Sequence, residues 1–139
     1  MTDTDLAAVM MRLQTSQLPF QARLADRIAQ LAVAFADDYD GRQLSIRSVS
    51  GLIDFLEAVL PSGHTDVTVT PEGDCYAEWR GAQGRKVAIE FLDSGDARYL
   101  LFRPNPRHPQ RIDRLNGTTT TDALAETMAP LAPLTGQAA

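Results

Sequence analysis

Only one cysteine is present, Cys75, so no disulfide can form within the chain. Histidine is scarce too, with His64 and His108 far apart. A metal site needs several His, Cys or carboxylate ligands at workable spacing, and here the candidates fall on a loop, another loop and a strand. The expectation is a protein without metal or cofactor. No run approaches the roughly 18 to 20 apolar residues of a membrane span, and the most apolar helical pattern is broken by Asp26, Arg27 and Gln30. The first residues show neither the basic region nor the apolar run of a secretory signal. The cytoplasm is therefore the expected compartment, with no membrane contact. Positive charge is not in excess: the formal net charge is -5, which argues against a general affinity for nucleic acid. Glycines mark turns, and none opens a helix in a phosphate-binding pattern. Ser48 and Ser50 lack the Gly-x-Ser-x-Gly elbow of hydrolases, and helix capping explains them better.

What is present is enough for a core. In 139 residues, 44% are hydrophobic and 22% charged, which is ordinary globular usage. Leu6, Val9, Met10 and Leu13 recur at helical spacing in a segment that must stop before Pro19. Leu24, Ile28, Leu31, Ala32 and Phe35 make a second stripe, ending at Asp37-Asp38-Tyr39-Asp40-Gly41. A third stripe of Val49, Leu52, Ile53, Leu56 and Leu60 follows a cap at Ser45 or Ser48 and runs to Pro61-Ser62-Gly63.

After Gly63 the period becomes 2. Segments 65–70, 74–80, 85–92 and 97–103 alternate and are separated by short Gly-bearing connections, which predicts a four-stranded antiparallel meander. Val67, Val69, Cys75, Ala77, Trp79, Val87, Ile89 and Phe91 share the face expected against the helices. Tyr76, Glu78, Arg80, Lys86 and Glu90 share the other. The fourth strand is apolar on both faces, with Tyr99 and Leu101 opposed to Leu100 and Phe102. Arg111 to Leu115 suggests a short fifth strand, and Thr119-Thr120-Thr121-Asp122 has the spacing of a capping box before a brief helix through Met128. The expected fold class is α+β: N-terminal amphipathic helices on a four- to five-stranded antiparallel meander, with a short C-terminal helix. Residues 1–19 read as a helical arm, 20–130 as a single domain and 131–139 as a flexible tail.

Tyr39-Asp40-Gly41, Val69-Thr70-Pro71-Glu72-Gly73, Tyr76-Ala77-Glu78-Trp79 and Ile89-Glu90-Phe91 carry a resemblance. Over about residues 24 to 103 the chain resembles a loose family of small uncharacterised bacterial proteins. Its members share an aromatic-Asp-Gly turn, a Thr-Pro-x-Gly turn and a Glu-Trp strand. The resemblance implies an association with two-gene, toxin-antitoxin-like or mobile-element loci, and it implies no biochemical activity. An Arg/Pro loop departs from the family pattern downstream.

Two clusters remain as candidate sites. Glu78 and Glu90 lie on neighbouring strands, where a carboxylate pair can do acid-base work, but Arg80 and Lys86 are at hand to pair with them as surface ion pairs. The other cluster surrounds Pro104-Asn105-Pro106-Arg107-His108-Pro109. It contains Arg98, Arg103, Arg107, His108, Arg111 and Arg114, with Leu100 and Phe102 as apolar neighbours. Residues 1–60 carry net charge -3 (eight acidic, five basic), residues 61–97 carry -4 (seven and three) and residues 98–139 carry +2 (three and five). Arginine grips carboxylate or phosphate with two parallel bonds, and a proline-stiffened loop loses little entropy on docking. These features point to a non-enzymatic protein-interaction module, and the resemblance implies the antitoxin, immunity or accessory member of a bacterial two-gene pair, with the adjacent gene's product as partner. The alternatives are a nucleic-acid-associated protein using the arginine loop and a small enzyme using Glu78 and Glu90.

Overall fold

The computed structural model describes residues 3–14, 21–59 and 65–128. His64, the Pro61-Ser62-Gly63 stop and the tail at 131–139 lie outside the described residues.

An apolar side chain every third or fourth position builds three helices, α1 (Asp3–Gln14), α2 (Gln21–Asp38) and α3 (Ile46–Val59). In α1, Leu13 is fully buried in the common core, with Val9 and Met10 against it. Arg12 is fixed to α3 by Asp54 and Glu57, both at 2.5 Å. In α2, Leu24, Ile28 and Phe35 are buried. The helix stops where Asp40 and Gly41 take φ of 54° and 81°, a left-handed pair open to glycine and tolerated by aspartate. The Arg27 Nε donates to the Val67 carbonyl at 3.0 Å and so ties α2 to the first strand. Of the two serines expected to cap α3, Ser45 does so: its Oγ accepts from the Ser48 N–H at 3.1 Å. Ser48 lies inside the helix and is fully buried.

Five strands follow, β1 (Asp66–Val69), β2 (Cys75–Arg80), β3 (Lys86–Phe91), β4 (Asp96–Pro104) and β5 (Ile112–Thr120). They form one antiparallel sheet in chain order. The α+β meander is therefore present, but its fifth strand is not short. At nine residues β5 equals β4, and it takes in Thr119 and Thr120, two of the three threonines expected to open the last helix. The cause is the ladder, which pairs Asp96 with Thr120 through to Pro104 with Ile112. The final helix, α4 (Thr121–Met128), is capped by Thr120, whose Oγ1 accepts from the Ala123 N–H at 3.1 Å.

Register sorts the side chains. Val67, Ala77, Ile89 and Tyr99 lie opposite one another across the first four strands, as do Trp79, Val87 and Leu101 across β2 to β4. These residues join the helices in one core. The sheet is covered in chain order, α2 against β1, α3 against β2 and β3, and α4 against β4 and β5. Among the described residues no helix covers the opposite face. None of the described helices is long and apolar enough to cross a membrane.

Candidate functional site

The uncovered face can be laid out from the register alone. Asp66, Glu78, Ala88, Leu100 and Asn116 form one row across the sheet, Thr68, Tyr76, Glu90, Arg98 and Thr118 the next, and Lys86, Phe102 and Arg114 a third, with Arg80 opposite Lys86. Ala88, Leu100 and Phe102 are thus adjacent, and Tyr76 is diagonal to Ala88. Ala88 is only 2% exposed, although none of the described helices lies on this face. The apolar strip continues toward the hairpin with Ile112, opposite Pro104 and 43% exposed.

Charge surrounds this strip. Glu78 is held by Arg80 at 2.7 Å and by Lys86 at 3.6 Å, and Glu90 by Arg98 at 3.1 Å. The Lys86 ammonium also lies 5.9 Å from the Phe102 ring centre, a cation–π distance. Burial, and then the nearby Glu78 and Glu90 carboxylates, push the Tyr76 phenol above its ordinary range. Glu78 faces Ala88 and Glu90 faces Tyr76, so the two carboxylates are diagonal, each engaged by its own basic partner.

The β4–β5 hairpin loop is ordered by a residue that sequence reading passed over. The Asn105 Oδ1 accepts from the N–H groups of Arg107 at 2.8 Å and His108 at 3.0 Å. Its Nδ2 donates to the Asp113 carboxylate at 3.0 and 3.2 Å. The main chain closes the loop, Asn105 N–H to the Arg111 carbonyl at 2.7 Å and Arg111 N–H to the His108 carbonyl at 2.8 Å. An asparagine between two prolines is the signal that could have found this turn, since its side chain readily binds the amides two and three residues on.

The arginine cluster does not stay together. Arg98, Leu100, Phe102 and Arg114 lie on the uncovered face, and Arg107, His108 and Arg111 are exposed on the hairpin tip. Arg103 points to the opposite face, across from Asp113, and its buried Nε has no hydrogen-bond partner. Arg107, Arg111 and Arg114 have no acidic partner among the described residues, whereas Arg98 is already engaged by Glu90. Among those residues no group of three or more His, Cys, Asp or Glu is placed to hold a metal ion.

Comparison of the chain with protein-family models, curated proteins and solved structures gives no match in any of the three.

Proposed function

We propose that this chain is a non-enzymatic protein-interaction module that binds an acidic protein surface through its uncovered sheet face and β4–β5 hairpin. In this reading it is the antitoxin, immunity or accessory member of a bacterial two-gene pair in the cytoplasm, and its partner is the adjacent gene's product. The observation that carries the proposal is the pairing state of the arginines. In a chain of net charge -5, Arg107, Arg111 and Arg114 stand without acidic partners among the described residues, beside a contiguous apolar strip of Ala88, Leu100 and Phe102. An apolar centre with a charged rim is the anatomy of a protein interface, and exposed guanidinium groups favour carboxylates through charge-assisted bonds. In this reading the ion pairs of Glu78 and Glu90 orient the basic side chains and have no part in catalysis.

Capture of the neighbouring gene product by the purified protein tests the proposal. The double change Arg107→Glu and Arg111→Glu is expected to leave the melting temperature unchanged and to weaken capture by tenfold or more, and Leu100→Asp is expected to abolish it. Capture should persist from about 50 to 200 mM salt, a range over which binding through several phosphates falls by orders of magnitude. Unchanged capture by both variants would remove the face and hairpin from consideration, and salt-sensitive binding to a duplex or single strand would replace the protein partner with nucleic acid.

A further inference from the structure

Three turns distant in sequence meet at one end of the sheet: the α2–α3 connection, the β1–β2 turn and the β3–β4 turn. Between them lies a cavity of about 580 Å³ lined by Arg42, Gln43, Ser45, Glu72, Asp74 and Asp93, among others. Asp93 has local compensation, because its carboxylate accepts the Ser45 hydroxyl at 2.5 Å beside the N-terminal turn of α3. Asp74 has none. It is only 7% exposed, and its main chain is satisfied by Thr70: the N–H donates to Oγ1 at 3.2 Å and the carbonyl accepts from the Thr70 N–H at 2.9 Å. Its side chain makes no hydrogen bond or ion pair with any described residue.

Arg42, the one cation among the described lining residues, is committed elsewhere. Its guanidinium lies 5.4 and 5.8 Å from the ring centres of Phe35 and Tyr39 and reaches only the carbonyls of Pro71 and Glu72, both at 3.5 Å. A carboxylate taken out of water without a partner is costly, and a bound cation relieves that cost. Burial first, and then Glu90, Asp93 and Glu72, hold the Asp74 carboxyl above its ordinary range, against a smaller lowering by Arg98.

We infer that this cavity binds a small organic cation through a primary ammonium group, with Asp74 as its inner carboxylate and Glu72 and Asp93 at the mouth. A metal ion is a poorer fit, because no three ligands among the described residues converge at coordination distance. An ammonium group, with three donors on a rotatable stem, can bridge carboxylates that are not coplanar, whereas a guanidinium demands a planar pair. The polar lining and the size of the cavity suit a hydrophilic amine. This site borders the uncovered sheet face, whose Glu90 and Arg98 both act on Asp74, but its ligand does not depend on the proposed interface.

The test is calorimetric titration of the full chain at low ionic strength with spermidine, with arginine amide and magnesium chloride as separate arms. Spermidine is expected to show one saturable site, weakened tenfold or more by Asp74→Asn and several-fold by Glu72→Gln. Glu126→Gln, which changes net charge equally on the exposed face of α4, is expected to leave it unaltered. Should Asp74→Asn fail to fold, Glu72→Gln, at an exposed turn, still decides the matter against Glu126→Gln. Absence of saturable binding, equal weakening by all three variants, or tighter Asp74-dependent binding of magnesium or arginine amide would each overturn the inference.

Discussion

Ser48 joins helix to sheet through one hydroxyl: its Oγ accepts from the main-chain N–H of Cys75 at 2.6 Å and donates to the carbonyl of Phe91. Cys75 and Phe91 face each other across β2 and β3, so a single buried side chain binds α3 to the paired ends of two central strands. Ser48→Ala would strip partners from a buried donor and a buried acceptor at once. The expected cost is about 1 to 3 kcal/mol, read from the shift of the urea midpoint at constant m-value. An unshifted midpoint would show that the hydroxyl is dispensable to the core.

Trp79 is a second anchor. It is 1% exposed, its ring centre lies 5.7 Å from that of Phe55, and its indole N–H donates to the Thr65 Oγ1 at 2.6 Å. Trp79→Ala is expected to destabilise by about 3 to 5 kcal/mol, through lost burial and the cavity left behind. Trp79→Phe keeps much of the ring but orphans the Thr65 contact, so it should fall between parent and Trp79→Ala. Measured stabilities in any other order would contradict the packing.

Alternation alone placed Trp79, Val87, Ile89 and Phe91 on the buried face, because period-2 patterning leaves a strand little choice once one face is covered. The length of β5 was hidden for the complementary reason. Ile112 and Leu115 lie on opposite faces, Asn116-Gly117 breaks the pattern, and pairing with β4 supplies what local sequence does not. Gly117 itself is set by that pairing, since a Cβ there would approach the Tyr99 hydroxyl to 2.8 Å. Ser48 and Ser45 are indistinguishable as caps in sequence, and only the sheet above α3 gives Ser48 its partners. The Asp74 cavity was equally illegible. Glu72 and Asp93 belong to turns that read as punctuation, Asp74 reads as the first residue of a strand, and no local pattern records which turns meet.

Cys75 offers a pH test. Burial pushes its thiol from 9.0 up to about 12, against a smaller lowering by the Ser48 hydrogen bond. The folded state therefore keeps a proton that the unfolded chain begins to lose near pH 9, so the contribution to stability is complete below that pH. It is lost as pH rises toward 12, at up to about 1.4 kcal/mol per unit. Cys75→Ala should flatten this alkaline decline. At neutral pH the native thiol should resist alkylation and react only at the rate of unfolding, and rapid labelling of the folded protein would refute its burial.

The hairpin that the proposed interface depends on is held by Asn105, which satisfies the amides of Arg107 and His108 with one atom and the Asp113 carboxylate with the other. Asn105→Ala removes both and should cost about 1 kcal/mol of global stability, because the loop is largely in water. Its larger effect should be local. Amide protection at Arg107 and His108 should collapse, and partner capture should weaken because the tip must then be ordered on binding. Asn105→Asp separates the two roles, since a carboxylate still accepts from both amides but now faces Asp113 at about the former hydrogen-bond distance. Two like charges so close raise the pKa of the pair in the folded state, and the penalty is present at neutral pH and removed as pH falls through the carboxylate range. Asn105→Asp should therefore be less stable than the parent at pH 7 and approach it near pH 3. Equal destabilisation at both pH values would place the importance of Asn105 in its amide donor alone, and no effect at either would show that the three prolines stiffen the loop without it.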